Sequence, residues 1–355
     1  MANNSLTRFA NSGLLALHFT PEELFVGFGQ RKGRSHRVRG LDVIDLRPHI
    51  IEGNEYNHSS LVPALGNVMR KNGIRTKRTV ISFPVKFPWI RVLEVPTVPE
   101  REMGRIVRLE VERLYLDSTV EKLIDWFPLG TESNDPASAG STRVLSVAIP
   151  RNTIAPYVDL MFASKLDIVG IDLAEVSVLK LAALQGVNFD DGITLVLNFN
   201  MQSTDLMLME NDRLQLVRKV GQGKQQLREI LSRALHDDPA LLTEMENVDF
   251  VLPLEHMRLA SDYVANLLGE IRRSIEFYLT ELKRAEGNVS KVVIAGSGYW
   301  PANLSQMLGQ QLQLPLIDLQ FDMMPQVYCE SEFKEAFPAA SIYAPVVGSV
   351  LRGVA

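Results

Sequence analysis

Leu15-Ala16-Leu17-His18-Phe19 and Leu195-Val196-Leu197-Asn198-Phe199 agree at three of five positions with an offset of 180 residues, about half of the 355-residue chain. Each pentapeptide reads as a buried strand. Each also opens the same order of elements. Leu14 to Phe19 leads through Thr20-Pro21-Glu22-Glu23 into a strand at Leu24 to Gly29. Thr194 to Phe199 leads through a short turn into a hairpin, Asp205 to Met209 and Leu214 to Val220, around Asn211-Asp212. A repeat at half-chain length predicts a duplicated α/β fold, two domains around a central cleft, and clefts between domains are common ligand sites.

Outward from these strands, the first half continues with a basic turn, Arg31-Lys32-Gly33-Arg34, and a strand at Val38 to Leu46. Leu61, Leu65, Val68 and Met69 then mark a helix that stops at Asn72-Gly73. Strands are expected at Thr79 to Phe83, Trp89 to Val95, Val120 to Phe127 and Arg143 to Ile149. Thr97 and Glu100 have capping-box spacing before a helix whose buried stripe is Met103, Ile106, Val107 and Leu114. Gly130 to Thr142 is polar and aperiodic, an exposed loop. Helix, strand and helix follow at Asn152 to Lys165, Asp167 to Asp172 and Leu173 to Gln185. The second half adds helices from about Gln222 and Leu254, a strand at Lys291 to Ala295, a Gly296-Ser297-Gly298 turn, a strand at Leu316 to Leu319 and a helix near Val346 to Leu351.

Composition narrows the function classes. Hydrophobic residues make up 46% and charged residues 22%, which is globular usage and excludes rods and disordered chains. A net charge of −5 argues against a nucleic-acid binder whose affinity rests on phosphate neutralisation. Residues 1–80 nevertheless carry 12 Lys/Arg against 6 Asp/Glu, leaving 25 against 36 for the rest. That basic part suits either solvent or an anionic surface. The single cysteine, Cys329, excludes an intrachain disulfide and a thiolate zinc cluster. Met1 to Phe9 lacks an apolar run and does not read as a secretory signal. Ala336 to Leu351 is uncharged for 16 residues with two prolines, short of the ~20 apolar residues of a spanning helix. Membrane contact is therefore expected to be peripheral.

Standard catalytic motifs fail. The six histidines show no metal spacing, and no G-x-S-x-G elbow occurs. Gly27, Gly29 and Gly33 miss the dinucleotide spacing by one residue, and Arg218 breaks the phosphate-loop pattern ahead of Gly223-Lys224, so Lys224 is expected to be a solvated helix residue. No catalytic residue and no metal ligand is assigned.

The two strand turns, taken with Val292-Val293-Ile294-Ala295-Gly296-Ser297-Gly298, resemble the actin-like ATPase superfamily, in which two such turns hold phosphate and a later glycine turn holds adenosine. Within it, Val95-Pro96-Thr97-Val98-Pro99-Glu100-Arg101-Glu102, Leu109-Glu110-Val111-Glu112-Arg113-Leu114-Tyr115 and Glu270-Ile271-Arg272-Arg273-Ser274-Ile275-Glu276-Phe277-Tyr278 resemble the type IV pilus assembly protein PilM family. The resemblance implies domains at 1–190 and 191–355, with a small strand-and-helix subdomain inserted at about 79–172, as in the cell-division protein FtsA. It implies nucleotide contacts at Ser203, Thr204, Asp205, Gly296, Ser297 and Gly298, with ATP and magnesium as cofactors. It further implies a cytoplasmic scaffold of the pilus inner-membrane platform, held at the inner face of the membrane by the cytoplasmic tail of a PilN-like protein and other platform components.

The chain departs from the superfamily where phosphate would sit. His18-Phe19-Thr20, followed by Pro21-Glu22-Glu23, stands where an aspartate, an apolar residue and a glycine are usual, and Asn198 and Asn200 stand for the second aspartate and glycine. Neutral His and Asn do not support hydrated magnesium as aspartate does, and Glu22 and Glu23 add negative charge beside phosphate. Hydrolysis is therefore expected to be lost. Two alternatives stay open: an active ATPase or kinase, and an L-protein-like component of a type II secretion platform. Thr204 and Asp205 serve either a ligand or their own turn. Arg272, Arg273 and Glu276 are expected to pair with helix neighbours at the surface.

Overall fold

The computed structural model describes residues 13–32, 35–51, 55–83, 89–114, 120–130, 140–234, 251–283, 287–296, 302–319, 327–329 and 343–351. The two pentapeptides occupy equivalent strands. The first lies in β1 (Leu14–Phe19), antiparallel to β2 (Glu23–Lys32) and parallel to β4 (Arg78–Ser82). The second lies in β9 (Ile193–Phe199), antiparallel to β10 (Thr204–Glu210) and parallel to β12 (Val289–Ala295). With β3 (Ser35–Asp45), β8 (Asp167–Ile171), β11 (Arg213–Val220) and β13 (Leu316–Asp318) added, the order β3-β2-β1-β4-β8 in the first sheet repeats as β11-β10-β9-β12-β13 in the second. The fold is a duplicated α/β architecture.

Side-chain parity explains the layering, because successive strand residues face opposite sides of a sheet. Leu15, Leu17 and Phe19 pack outward against α1 (His58–Lys71) and α3 (Arg151–Ala163), through Leu61, Leu65, Leu160 and Met161. Leu195, Leu197 and Phe199 do the same against α5 (Lys224–Ala234), α6 (Leu254–Phe277) and α7 (Ala302–Leu312). The opposite faces, with Ala16 and Val196, meet in a shared core around α4 (Ala174–Leu184) and α8 (Ala344–Val350). The two helices pack on each other, with α4 lying against β9 and α8 against β1, β2 and β4, so each sheet's inner face is covered by a helix from later in the chain or from the other half.

The α4/α8 crossing is tight. A Cβ on Gly348 would stand 2.4 Å from the carbonyl oxygen of Ser177, and Ser177 Oγ lies 3.2 Å from Ser349 Oγ. Gly348→Ala is expected to cost about 1–3 kcal/mol by forcing the helices apart, read as a lower midpoint in denaturant titration.

The carboxy-terminal segment returns to the first sheet, where β14 (Val327–Cys329) pairs parallel with β3 at its edge. A separate three-stranded sheet holds β5 (Trp89–Pro96), β7 (Ser141–Pro150) and β6 (Lys122–Gly130) in that order. Its core is formed with α2 (Glu100–Leu114) by Val95, Met103, Val107, Val111, Val144 and Ala148. Of the stretch 79–172, β4 and β8 belong to the six-stranded sheet and α3 packs on it; the small sheet and α2 lie within 89–150.

Three local expectations are corrected. Arg31 and Lys32 are strand residues, because the β2–β3 register runs out to Lys32↔Ser35; Gly33 and Arg34 lie outside the described residues. Thr97 does not cap α2. Proline at 99 precedes the helix, and the Thr97 hydroxyl pairs with Thr142 Oγ1 at 2.9 Å instead. Leu114 is exposed, and Val111 takes its place in the buried stripe. The loop expected at 130–142 falls mostly outside the described residues.

Candidate functional site

The cleft candidates sit where β1, β4, β9 and β12 end. The pairings His18↔Ser82 and Asn198↔Ala295 put His18 and Asn198 in equivalent places of the two halves. His18 is buried, its Nδ1 lies 2.8 Å from Ser82 Oγ, and its pKa falls to about 4. Burial is the main cause, since it strips water from the imidazolium; Asp205 pulls upward and Lys219 downward. The ring is neutral at pH 7.

The turn after β1 is closed on itself. Thr20 N–H donates to the Glu23 carbonyl at 2.8 Å, and Glu23 N–H donates to Thr20 Oγ1 at 2.9 Å. Pro21 has no N–H to offer. A phosphate cradle needs outward backbone donors, and here those of Thr20 and Glu23 are spent within the turn. Burial raises the Glu23 pKa, opposed by Lys224. Lys224 is itself buried, against the expectation of a solvated residue, at the start of α5, where its backbone N–H donates to Asn200 O against the second turn.

The second turn gathers most of the expected nucleotide residues. Asn200 N–H donates to Ser203 O at 2.8 Å, and Thr204 Oγ1 donates to Gln222 O at 2.7 Å. Gly296 abuts this turn: with φ at +150°, a Cβ there would stand 2.0 Å from the Phe199 carbonyl oxygen. Only glycine tolerates both that backbone and that approach. Ser203, Thr204, Asp205 and Gly296 therefore come together, while Ser297 and Gly298 lie outside the described residues.

Asp205 is buried. Its Oδ2 accepts from Asn198 Nδ2 at 2.9 Å and from Asn200 Nδ2 at 2.7 Å, and Lys219 Nζ lies 2.6 Å from its Oδ1. Asp205 and Lys219 are direct cross-strand partners on β10 and β11. The same ammonium lies 3.6 Å from Oε1 of buried Glu175 on α4. Burial disfavours the charge on Lys219, but Asp205 and then Glu175 outweigh it and lift its pKa above the usual lysine value. Glu175 is pushed up by burial and by Asp205, with Lys219 opposing.

A magnesium nucleotide does not fit these residues. The carboxylate that would hold the ion's water shell already carries an ammonium, the positions flanking it are neutral amides, and two of the first turn's donors, Thr20 and Glu23 N–H, are internal. Sequence reasoning missed Lys219, Glu175 and Ser82. The first had a signal, since a hairpin about Asn211-Asp212 with one bulge sets Lys219 opposite Asp205.

The family-like stretch on α6 serves packing. Arg273 pairs with Glu270, and Arg218 of β11 reaches Glu270 Oε2 and Ser274 Oγ, both at 3.0 Å. Among the described residues, no helix is long and apolar enough to cross a membrane, and no group of three or more His, Cys, Asp or Glu has the arrangement of a metal site.

Comparison with known proteins fits this geometry. The PilM–PilN type IV pilus biogenesis complex contains a chain similar over 96% of this one and 98% of its own length, at 21% identity and a TM-score of 0.77. The ethanolamine utilization protein EutJ from Carboxydothermus hydrogenoformans is similar over 98% and 94%, at 10% identity and a TM-score of 0.55. A Bacteroides thetaiotaomicron protein described as having an actin-like ATPase fold is more distant, with a TM-score of 0.45 at 10% identity over 98% of both chains. Comparison with curated proteins finds no match in sequence. The fold is that of the chain in the PilM–PilN complex and of EutJ. The family model for the type IV pilus assembly protein PilM matches residues 26–335, most of the chain, and the protein belongs to that family.

Proposed function

We propose that this protein is a cytoplasmic scaffold of the type IV pilus inner-membrane platform, bound to the cytoplasmic tail of a PilN-like membrane protein, and that it no longer hydrolyses nucleotide. The observation that carries the second part is the engagement of Asp205 by Lys219, Asn198 and Asn200. The first part is supported by family membership and by the likeness to a chain of a PilM–PilN complex. The domains in this reading are 1–190 and 191–355, with β14 and α8 docked back on the first sheet. Ser203, Thr204, Asp205 and Gly296 keep the shape of the ancestral nucleotide turn without its chemistry.

The tail binds, in this reading, beside the small sheet, where β6 is an edge strand and exposes Leu123 and Phe127. An extended peptide gains main-chain hydrogen bonds on such an edge and specificity from apolar side chains. Two measurements on the purified full chain test the reading. Magnesium-dependent ATP turnover is expected to be at background. The cognate PilN-like peptide is expected to bind saturably with a Kd near 1 μM, roughly −8 kcal/mol, and Phe127→Asp to abolish that binding. ATP turnover abolished by substitutions at 18–23 or 198–205 contradicts the loss of hydrolysis, and absence of saturable peptide binding contradicts the scaffold role.

A further inference from the structure

Two buried carboxylates on different elements, Asp205 on β10 and Glu175 on α4, share one neighbouring cation. Without it they repel across a site with little water, and one must take up a proton. Proteins commonly balance such a pair with a divalent ion bound by oxygen. Here the balancing charge is Lys219 Nζ, 2.6 Å from one carboxylate and 3.6 Å from the other, although a lysine on a strand has the length to carry its ammonium into water. Asn198 donates its amide N–H to Asp205, yet its Oδ1 is buried without a hydrogen-bond partner. Two buried carboxylates thus converge on one ammonium.

We propose that Lys219 is a tethered resident cation that has taken over the charge of a divalent ion in this cleft, fastening α4 to the second sheet without metal. The proposal deepens the reading that nucleotide chemistry has been lost, but it is tested separately from it, with metal alone and no nucleotide. The site also lies between the halves. Glu175 belongs to the helix that packs on α8, α8 covers the first sheet, and His18 of that sheet is close enough to feel both Asp205 and Lys219. The tether therefore holds a junction that a bound ion would hold only at sufficient concentration.

The consequence is a latent ion site beneath the lysine. The test is thermal unfolding of the full chain in MgCl2, in MnCl2 and in chelator. The wild type is expected to give one Tm in all three. Lys219→Ala is expected to lower Tm in chelator by roughly 5–15 °C and to recover at least half of that loss in millimolar MnCl2. The double variant Lys219→Ala/Asp205→Asn should show no such recovery, because the ion's main ligand is gone. Lys219→Arg, which keeps the charge, should stay insensitive to metal and lie closer to wild type than Lys219→Gln. That pair of variants decides the matter if Lys219→Ala does not fold. A wild-type Tm that rises with either metal, a Lys219→Ala protein as stable as wild type or unmoved by MnCl2, or Lys219→Gln equal to Lys219→Arg overturns the proposal.

Discussion

Asp205→Ala is expected to destabilise the protein by about 3–5 kcal/mol, because removing one partner of a buried ion pair leaves the other charge without its counterion. Lys219 would keep only Glu175, at 3.6 Å, and would lose the contact at 2.6 Å. The amides of Asn198 and Asn200, which donate to Asp205 at 2.9 and 2.7 Å, would lose their common acceptor as well. Unmade buried hydrogen bonds carry a penalty beyond that of the ion pair. Equilibrium unfolding in urea should show the loss as a lower midpoint at unchanged slope. A loss below about 1 kcal/mol would place the pair with ordinary surface salt bridges and refute this account of the cleft.

Stability should also fall in mild acid, and His18 is the reason. Its pKa is 6.5 when unfolded and about 4 when folded, so the unfolded chain takes up a proton first. A depressed folded pKa gives stability that is complete above the unfolded value and is lost as pH falls through the window from 6.5 to about 4. The expected loss is about 3 kcal/mol across that window. Glu175 and Glu23 work the other way, since their raised pKa values make protonation in acid favourable to the fold. The decisive comparison is His18→Asn, the residue found at the equivalent position of the other half. This variant should flatten the curve of stability against pH between 6.5 and 4, and a curve as steep as wild type would assign the acid loss to other groups.

Much of the fold was legible because a buried strand has a two-residue period, and a register of side chains survives when residue identities drift. Ala16 and Val196 differ, as do His18 and Asn198, yet all four point inward and Leu15, Leu17, Leu195 and Leu197 point outward. The cleft was less legible. That His18 and Asn198 fail to support magnesium follows from their chemistry, but what replaces that support lies in cross-strand pairing. Lys219 reads as a basic residue among others until the hairpin's bulge is placed, and Glu175 is on a helix 30 residues before Asp205 in sequence. Thr97 misled for the opposite reason. A spacing that satisfies a local rule was overruled when proline at 99 set the start of α2 and Thr142 offered the hydroxyl a partner across the sheet.

The return of the chain to its first sheet has a consequence during synthesis. His36 of β3 pairs with Val327 of β14, and α8 follows later still. At 5–20 residues per second, roughly 15–60 s separate emergence of β3 from emergence of its edge partner β14 and of the covering helix. Through that interval the inner face carrying Ala16, Phe25, Val38 and Leu41 lacks α8, and the edge of β3 lacks β14. Nascent chains stalled in this window expose an apolar face and an open strand edge together, the combination most prone to wrong pairing. The first half to be made is thus the last to be finished.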